Sequence, residues 1–264
     1  MASAADKREH ERPNRPMGPI DSGVVTINPK FTPTPSLHPG NVEALVDDWG
    51  NSDLRPLLQP VHTAFDTATA ALKEIYDARI KAARNDAWTP SAQILNVSNF
   101  AEKRQAQVTQ LFDSAMANLM KQEKALEDSL SAPMESAALG AMAQEIRSFA
   151  RDLSSEDRNA FMLKAMRDAD VRALQSVLGA PAYLSGIDPK MQKVWTRQYR
   201  EQQAPEATKR LDVARKAIDL LGQRAPLFLG QVTEAFGASW ATVGKLKKAA
   251  SEAERALVLQ QPGA

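Results

Sequence analysis

The chain has 264 residues, with 33 Lys plus Arg against 32 Asp plus Glu and a net charge of +1. It contains no Cys, which excludes a disulfide scaffold, thiolate zinc sites and iron–sulfur clusters. Apolar and charged fractions of 43% and 25% fit one or two ordinary domains, and near-neutral charge argues against a general nucleic-acid coat.

Residues 1–12 lack the apolar stretch of a secretory signal, so no leader is expected there. No run of about 18 apolar residues occurs, so a membrane-spanning helix is not expected either. Absence of Cys fits a reducing compartment, and equally a particle that meets both redox conditions.

Residues 1–40 hold 7 of the 16 prolines. Proline removes a backbone donor and fixes φ, so neither a helix nor an inner strand runs through this stretch. The composition is that of a disordered tail or of an extended arm crossing onto a neighbouring subunit. In the second case Val24, Val25, Ile27 and Phe31 are the apolar contacts.

From residue 41 the pattern turns helical. Asn41 to Gly50 reads as a short capped helix. Leu58, Val61, Phe65, Ala68, Leu72, Ile75 and Arg79 then alternate at spacings of three and four, the stripe of a helix packed on a helix. Pro60 fits the first turn, and the helix should stop near Asn85–Trp88, before Pro90. After a loop at Thr89–Val97, a second helix starts near Ser98 with Val108, Leu111, Phe112, Ala115, Leu119, Leu126 and Leu130 inward. The short connection makes the pair an antiparallel hairpin. Its interspersed charges read as a solvated face.

Shorter helices follow. Pro133 opens one that carries Leu139, Met142, Ile146, Phe149 and Leu153. Ser154 and Asp170 cap the next two, and Gly179 stops the second of them. Asp188-Pro189 begins another helix, with Met191, Val194, Trp195 and Tyr199 inward. The stretch from Glu145-Ile146-Arg147 through Leu178-Gly179-Ala180-Pro181 and Tyr183-Leu184-Ser185-Gly186 resembles a segment of uncharacterised phage and prophage proteins. That family has a Glu-Ile-Arg helix, a Ser-capped helix, a short helix ending in Leu-Gly-Ala-Pro, an aromatic-Leu-Ser-Gly turn and a long C-terminal helix. The resemblance implies a phage context and no particular chemistry, since every shared element is a cap, a stop or a core anchor.

Residues 189–264 carry 13 basic and 7 acidic side chains. They read as a solvated helix surface, or as a docking surface for an acidic partner or packaged DNA. No aromatic interleaving supports single-strand stacking, so DNA contact is possible but not favoured. Gly230, Gly237 and Gly244 recur every seven residues, beside a bulky stripe that includes Phe236 and Trp240. Glycine inside a helix costs about 1 kcal/mol relative to alanine. Either some of these glycines break the helix, or the small face admits another helix within the fold or an oligomer. A membrane-active segment is a third reading, not favoured because of Glu234.

Catalytic patterns do not emerge. There is no Gly-x-Ser-x-Gly, Ser-x-x-Lys, Walker loop or dinucleotide glycine pattern. His10, His38 and His62 have no metal-ligand spacing, and His62 reads as a helix-face residue. Asp47-Asp48 and Glu127-Asp128 are adjacent, so on a helix they diverge by about 100° and share no site. Two carboxylates brought together from a distance would still permit a glycan hydrolase.

The expected fold is all-α: an extended arm at 1–40, a long antiparallel hairpin at 41–132, and shorter helices with one or two long C-terminal helices at 133–264. The expected function is that of a non-enzymatic bacteriophage virion structural or assembly protein. No catalytic, cofactor or metal residue is assigned. It would act as a homo-oligomer with other virion proteins as partners, in the virion or in the host cytoplasm during assembly. The contacts would be Val24, Val25, Ile27, Phe31, Gly230, Phe236, Gly237, Trp240 and Gly244. The alternatives are a particle-carried DNA-delivery or membrane-perturbing protein and a transient scaffold.

Overall fold

In a computed structural model the structure describes residues 31–257. Among these the fold is all-α, with one 3₁₀ turn at Pro35–Leu37 and no strand. The helices are α1 (Gly40–Glu43), α2 (Arg55–Ala83), α3 (Pro90–Ala137), α4 (Ala141–Asp152), α5 (Ser155–Arg167), α6 (Val171–Leu178), α7 (Ala182–Ser185), α8 (Pro189–Gln203), α9 (Pro205–Phe236) and α10 (Trp240–Leu257). Val24, Val25 and Ile27 lie outside the described residues.

Two units contribute. Among the described residues, one joins Phe31–Thr32, Leu72–Arg104 and Gly230–Leu257; the other joins Pro33–Ala71 with Gln105–Leu229. The α2 stripe is the core its spacing requires: Leu58, Val61, Phe65 and Ala68 in the second unit and Leu72 and Ile75 in the first are fully buried. In the second unit Phe112 of α3 takes Phe65 edge-on at 5.6 Å and Phe228 of α9 at 6.2 Å. Residues 33–40 belong to this unit rather than to a free arm. Leu37 is fully buried, and its carbonyl accepts a 2.9 Å hydrogen bond from Thr69.

Several boundaries differ from the sequence reading. The short helix expected over Asn41–Gly50 is one turn, Gly40–Glu43, because Asn41 spends its side chain on the carbonyls of Pro35 and His38. Helix α2 begins at Arg55, so Pro60 sits in its second turn; the carbonyl that it leaves free belongs to exposed Pro56 and faces water. Helix α3 starts at Pro90 rather than near Ser98: Thr89 accepts the Ala92 amide at 3.3 Å and Pro90 supplies a preset φ. It then runs 48 residues, through Pro133, so the break expected at 132/133 falls inside a helix. Its proline forfeits one bond, to the carbonyl of exposed Ser129, and the rest of the ladder carries the turn.

The smaller helices form a second core, in which Met134 of α3 packs with Ala150, Met162, Leu174, Val177, Trp195 and Tyr199. Their caps are those the sequence announces. Ser154 accepts from the Asp157 amide at 3.1 Å, Asp170 from Ala173 at 3.0 Å, and Asp188 from Lys190 at 2.8 Å. Gly179 ends α6 for a reason of packing: a Cβ there would lie 2.1 Å from the Met134 carbonyl oxygen. Val194, expected inward, is exposed on α8.

Candidate functional site

Of the readings of the glycine repeat, a helix break or a shared small face, the structure has the break. Helix α9 passes through Gly230 and ends at Phe236; Gly237 follows in the left-handed conformation with φ +75°. Gly230 and Gly244 therefore sit on different helices. A Cβ on either would meet nothing within 4 Å, so neither admits a close neighbour within the chain. Gly237 answers two demands at once, its positive φ and the guanidinium of Arg79, which a Cβ would meet at 2.0 Å. Burial holds the Arg79 pKa below its ordinary value, against an opposing effect of Tyr76. Phe236 is buried with Trp240 stacked on it at 5.5 Å, and Phe31 lies 5.5 Å from the Tyr76 ring. All these residues belong to the first unit.

Three cations of the basic C-terminal region, Arg200, Arg215 and Lys247, pair with carboxylates of α3. Glu127 accepts from Arg200 at 2.8 and 3.2 Å and from Arg215 at 2.7 Å, and Arg215 also donates to Glu123 at 3.0 Å. The Arg200 hydrogen bond, with the charges of Arg200 and Arg215, holds the Glu127 carboxyl below its usual range despite partial burial. In the first unit Lys247 meets Glu102 at 2.7 Å. Asp128 turns away to Lys124, so the adjacent pair diverges as helix geometry requires. Asp47 and Asp48 lie outside any helix, and Asp48 accepts from the amides of Gly50 and Asn51. His62 is pinned on α2, with Nε2 2.9 Å from Glu43 and its ring stacked on Trp49 at 4.9 Å.

Open cavities occur among the described residues. One, about 390 Å³, lies beside Gly179, Thr196 and Arg200. A second, about 300 Å³, is lined by Asp47, Glu201, Lys209, Asp212 and Lys216. Its carboxylates are held in part by Arg197, which contacts both Glu201 and Asp212. A third, about 280 Å³, lies at the hairpin tip between Ala82, Trp88, Val97 and Phe100. Among the described residues no group of three His, Asp or Glu is arranged to hold a metal, and no helix is long and apolar enough to cross a membrane.

The surface that sequence reasoning missed lies on α4. The apolar residues read for this stretch are largely open: Leu139, in the turn before α4, is 87% exposed, and Met142 and Phe149 on α4 are 57% and 56% exposed. Ala143 and Ala150 are buried in their place. Alanines let α4 approach its neighbours closely, and Arg147 fixes the contact by donating to the carbonyls of Ala138 at 2.7 Å and Ser176 at 3.0 Å. Ile146 packs partly on the core, and Phe149 meets Phe161 edge-on at 5.6 Å. The alanine positions beside the larger apolar ones were the available signal, since one short helix with two apolar stripes has only one of them to bury in its own core.

The fold and this surface define an all-helical protein with an uncovered apolar face on its smaller helical cluster. Comparison of the chain with known protein families, with curated proteins and with solved structures found no match.

Proposed function

We propose that the chain is a bacteriophage virion structural or assembly protein, without enzymatic activity, that works by helix packing as a homo-oligomer. The uncovered apolar face of α4 carries this reading. Large apolar side chains grouped on one helix face are a contact surface far more often than a casual feature of a monomer. The segment that resembles phage proteins, Glu145–Gly186, contributes Ile146 and Phe149 to this face. The polar groups that would suggest chemistry are held in ion pairs: Glu127 with Arg200, and Glu201 and Asp212 with Arg197.

Mass spectrometry of purified mature particles, with stoichiometry against the major shell protein, tests the reading. A copy number matching a ring or shell symmetry supports a structural component. Presence only in immature shells assigns the protein to transient scaffolding instead. Absence from both overturns the proposal.

A further inference from the structure

We infer that the uncovered face of α4 is a two-fold interface that pairs with the same face of a second copy of this chain. Met142 and Phe149 are seven residues apart, two helical turns on one side of α4, with Ile146 between them. A two-fold axis crossing the helix near Glu145 and Ile146 sets two α4 helices antiparallel. Met142 of each copy then meets the partner's Phe149, giving two equivalent sulfur–aromatic contacts. The Met142 sulfur is already positioned, 3.2 Å from a guanidinium nitrogen of Arg172.

Area and charge both favour a second copy as the occupant. At about 150–200 Å² for each fully exposed large side chain, the uncovered parts of Met142 and Phe149 on α4 and of Leu139 in the turn just before it amount to roughly 350 Å². A standard interface buries about 800 Å² per partner, a little over half of it apolar. The patch is therefore about the size of the apolar centre of one such interface, with Glu145 and Arg172 available as its polar rim. Residues 141–187 carry six basic and six acidic side chains. A neutral body gives no steering toward nucleic acid or an anionic membrane, and does not repel its own copy.

This inference deepens the self-association in the proposed function and rests on that reading for nothing else. The experiment is sedimentation of the purified full chain over a concentration series, with Phe149→Asp and Met142→Glu alongside. The wild type is expected to pass from monomer to dimer or a higher multiple, and both variants to weaken that step at least about 30-fold while keeping the wild-type circular dichroism. Because the chain has no Cys, single Met142→Cys and Phe149→Cys variants supply a second readout that tolerates a folding defect in either charged variant. Mixed under oxidation, the two should cross-link to each other faster than either does to itself. A wild type that stays monomeric overturns the inference, and so does association that neither charged variant weakens or faster self-linking of Met142→Cys. A chain found in particles yet monomeric alone fails this inference while leaving the virion assignment standing. Association through α4 by a chain absent from particles does the reverse.

Discussion

Arg158 should be the most sensitive side chain outside the apolar core. Its guanidinium donates to four carbonyls: Ala150 at 2.7 Å, Arg151 at 3.0 Å, Leu153 at 2.7 Å and Gly186 at 2.6 Å. The first three lie at the C-terminal end of α4, where carbonyls have no intrahelical donor and a positive charge is favoured. Arg158→Ala leaves them to water where water reaches, but Ala150 is fully buried. A buried orphan acceptor costs about 1–3 kcal/mol, and charged hydrogen bonds to the others add roughly 1.5 kcal/mol or more. The expected loss is about 3–5 kcal/mol, near 10 °C in Tm for a chain of this size. Arg158→Lys should recover less than half, because an ammonium has three donors and no planar fork. Urea titration followed through buried Trp195, with calorimetry alongside, reads the loss. A cost below about 1 kcal/mol, or full rescue by lysine, refutes the idea that a forked donor holds α4 to the Gly186 turn.

Glycines 230 and 237 should respond to the same substitution with opposite sign. Gly230→Ala gains about 1 kcal/mol from helix propensity in open space, whereas Gly237→Ala loses more than about 2 kcal/mol to its left-handed φ and the Arg79 guanidinium; thermal melts compare them. The Glu127 carboxyl is held below its unfolded value, so its stabilisation is complete above the unfolded carboxylate range and disappears as pH falls through the folded value. Denaturation curves of wild type and Glu127→Gln should therefore differ at pH 7 and converge as pH drops below about 4. Leu37→Ala should cost about 3 kcal/mol in urea titration if residues 33–40 are part of the core, and next to nothing if they are a detachable arm.

Periodic burial and local capping were legible in the chain. The α2 stripe from Leu58 to Ile75 could be read because a long helix packed along its length repeats the same requirement every three or four residues. Ser154, Asp170 and Asp188 could be read because a cap depends on two or three neighbouring residues. What escaped depends on distant partners. Gly179 looks like a conformational stop, yet its φ is −81° and the requirement comes from the Met134 carbonyl. Arg147 and Arg158 look like surface charges, yet they satisfy carbonyls of other segments. The glycine repeat allows either one small face or a break, and Gly237, set by the Arg79 guanidinium, makes the break that divides it between two helices.

The arginine clamps and the open face of α4 explain one another. A short helix ordinarily needs its largest apolar residues to hold it against the core. Here Ala143 and Ala150 allow close approach, Arg147 ties the first half of α4 to α6, and Arg158 ties its C-terminal end to the Gly186 turn. These contacts are made by the flank that carries Ala143, Arg147 and Ala150, and Met142 beside it is 57% exposed, so Met142 can change with little effect on the fold. Substitutions that attack the clamps should unfold this cluster, while charge at Met142 should leave the cluster folded and abolish only what binds there. A contact face held by polar clamps, with its apolar residues left outward, is the arrangement by which a helix keeps its shape while waiting for a partner.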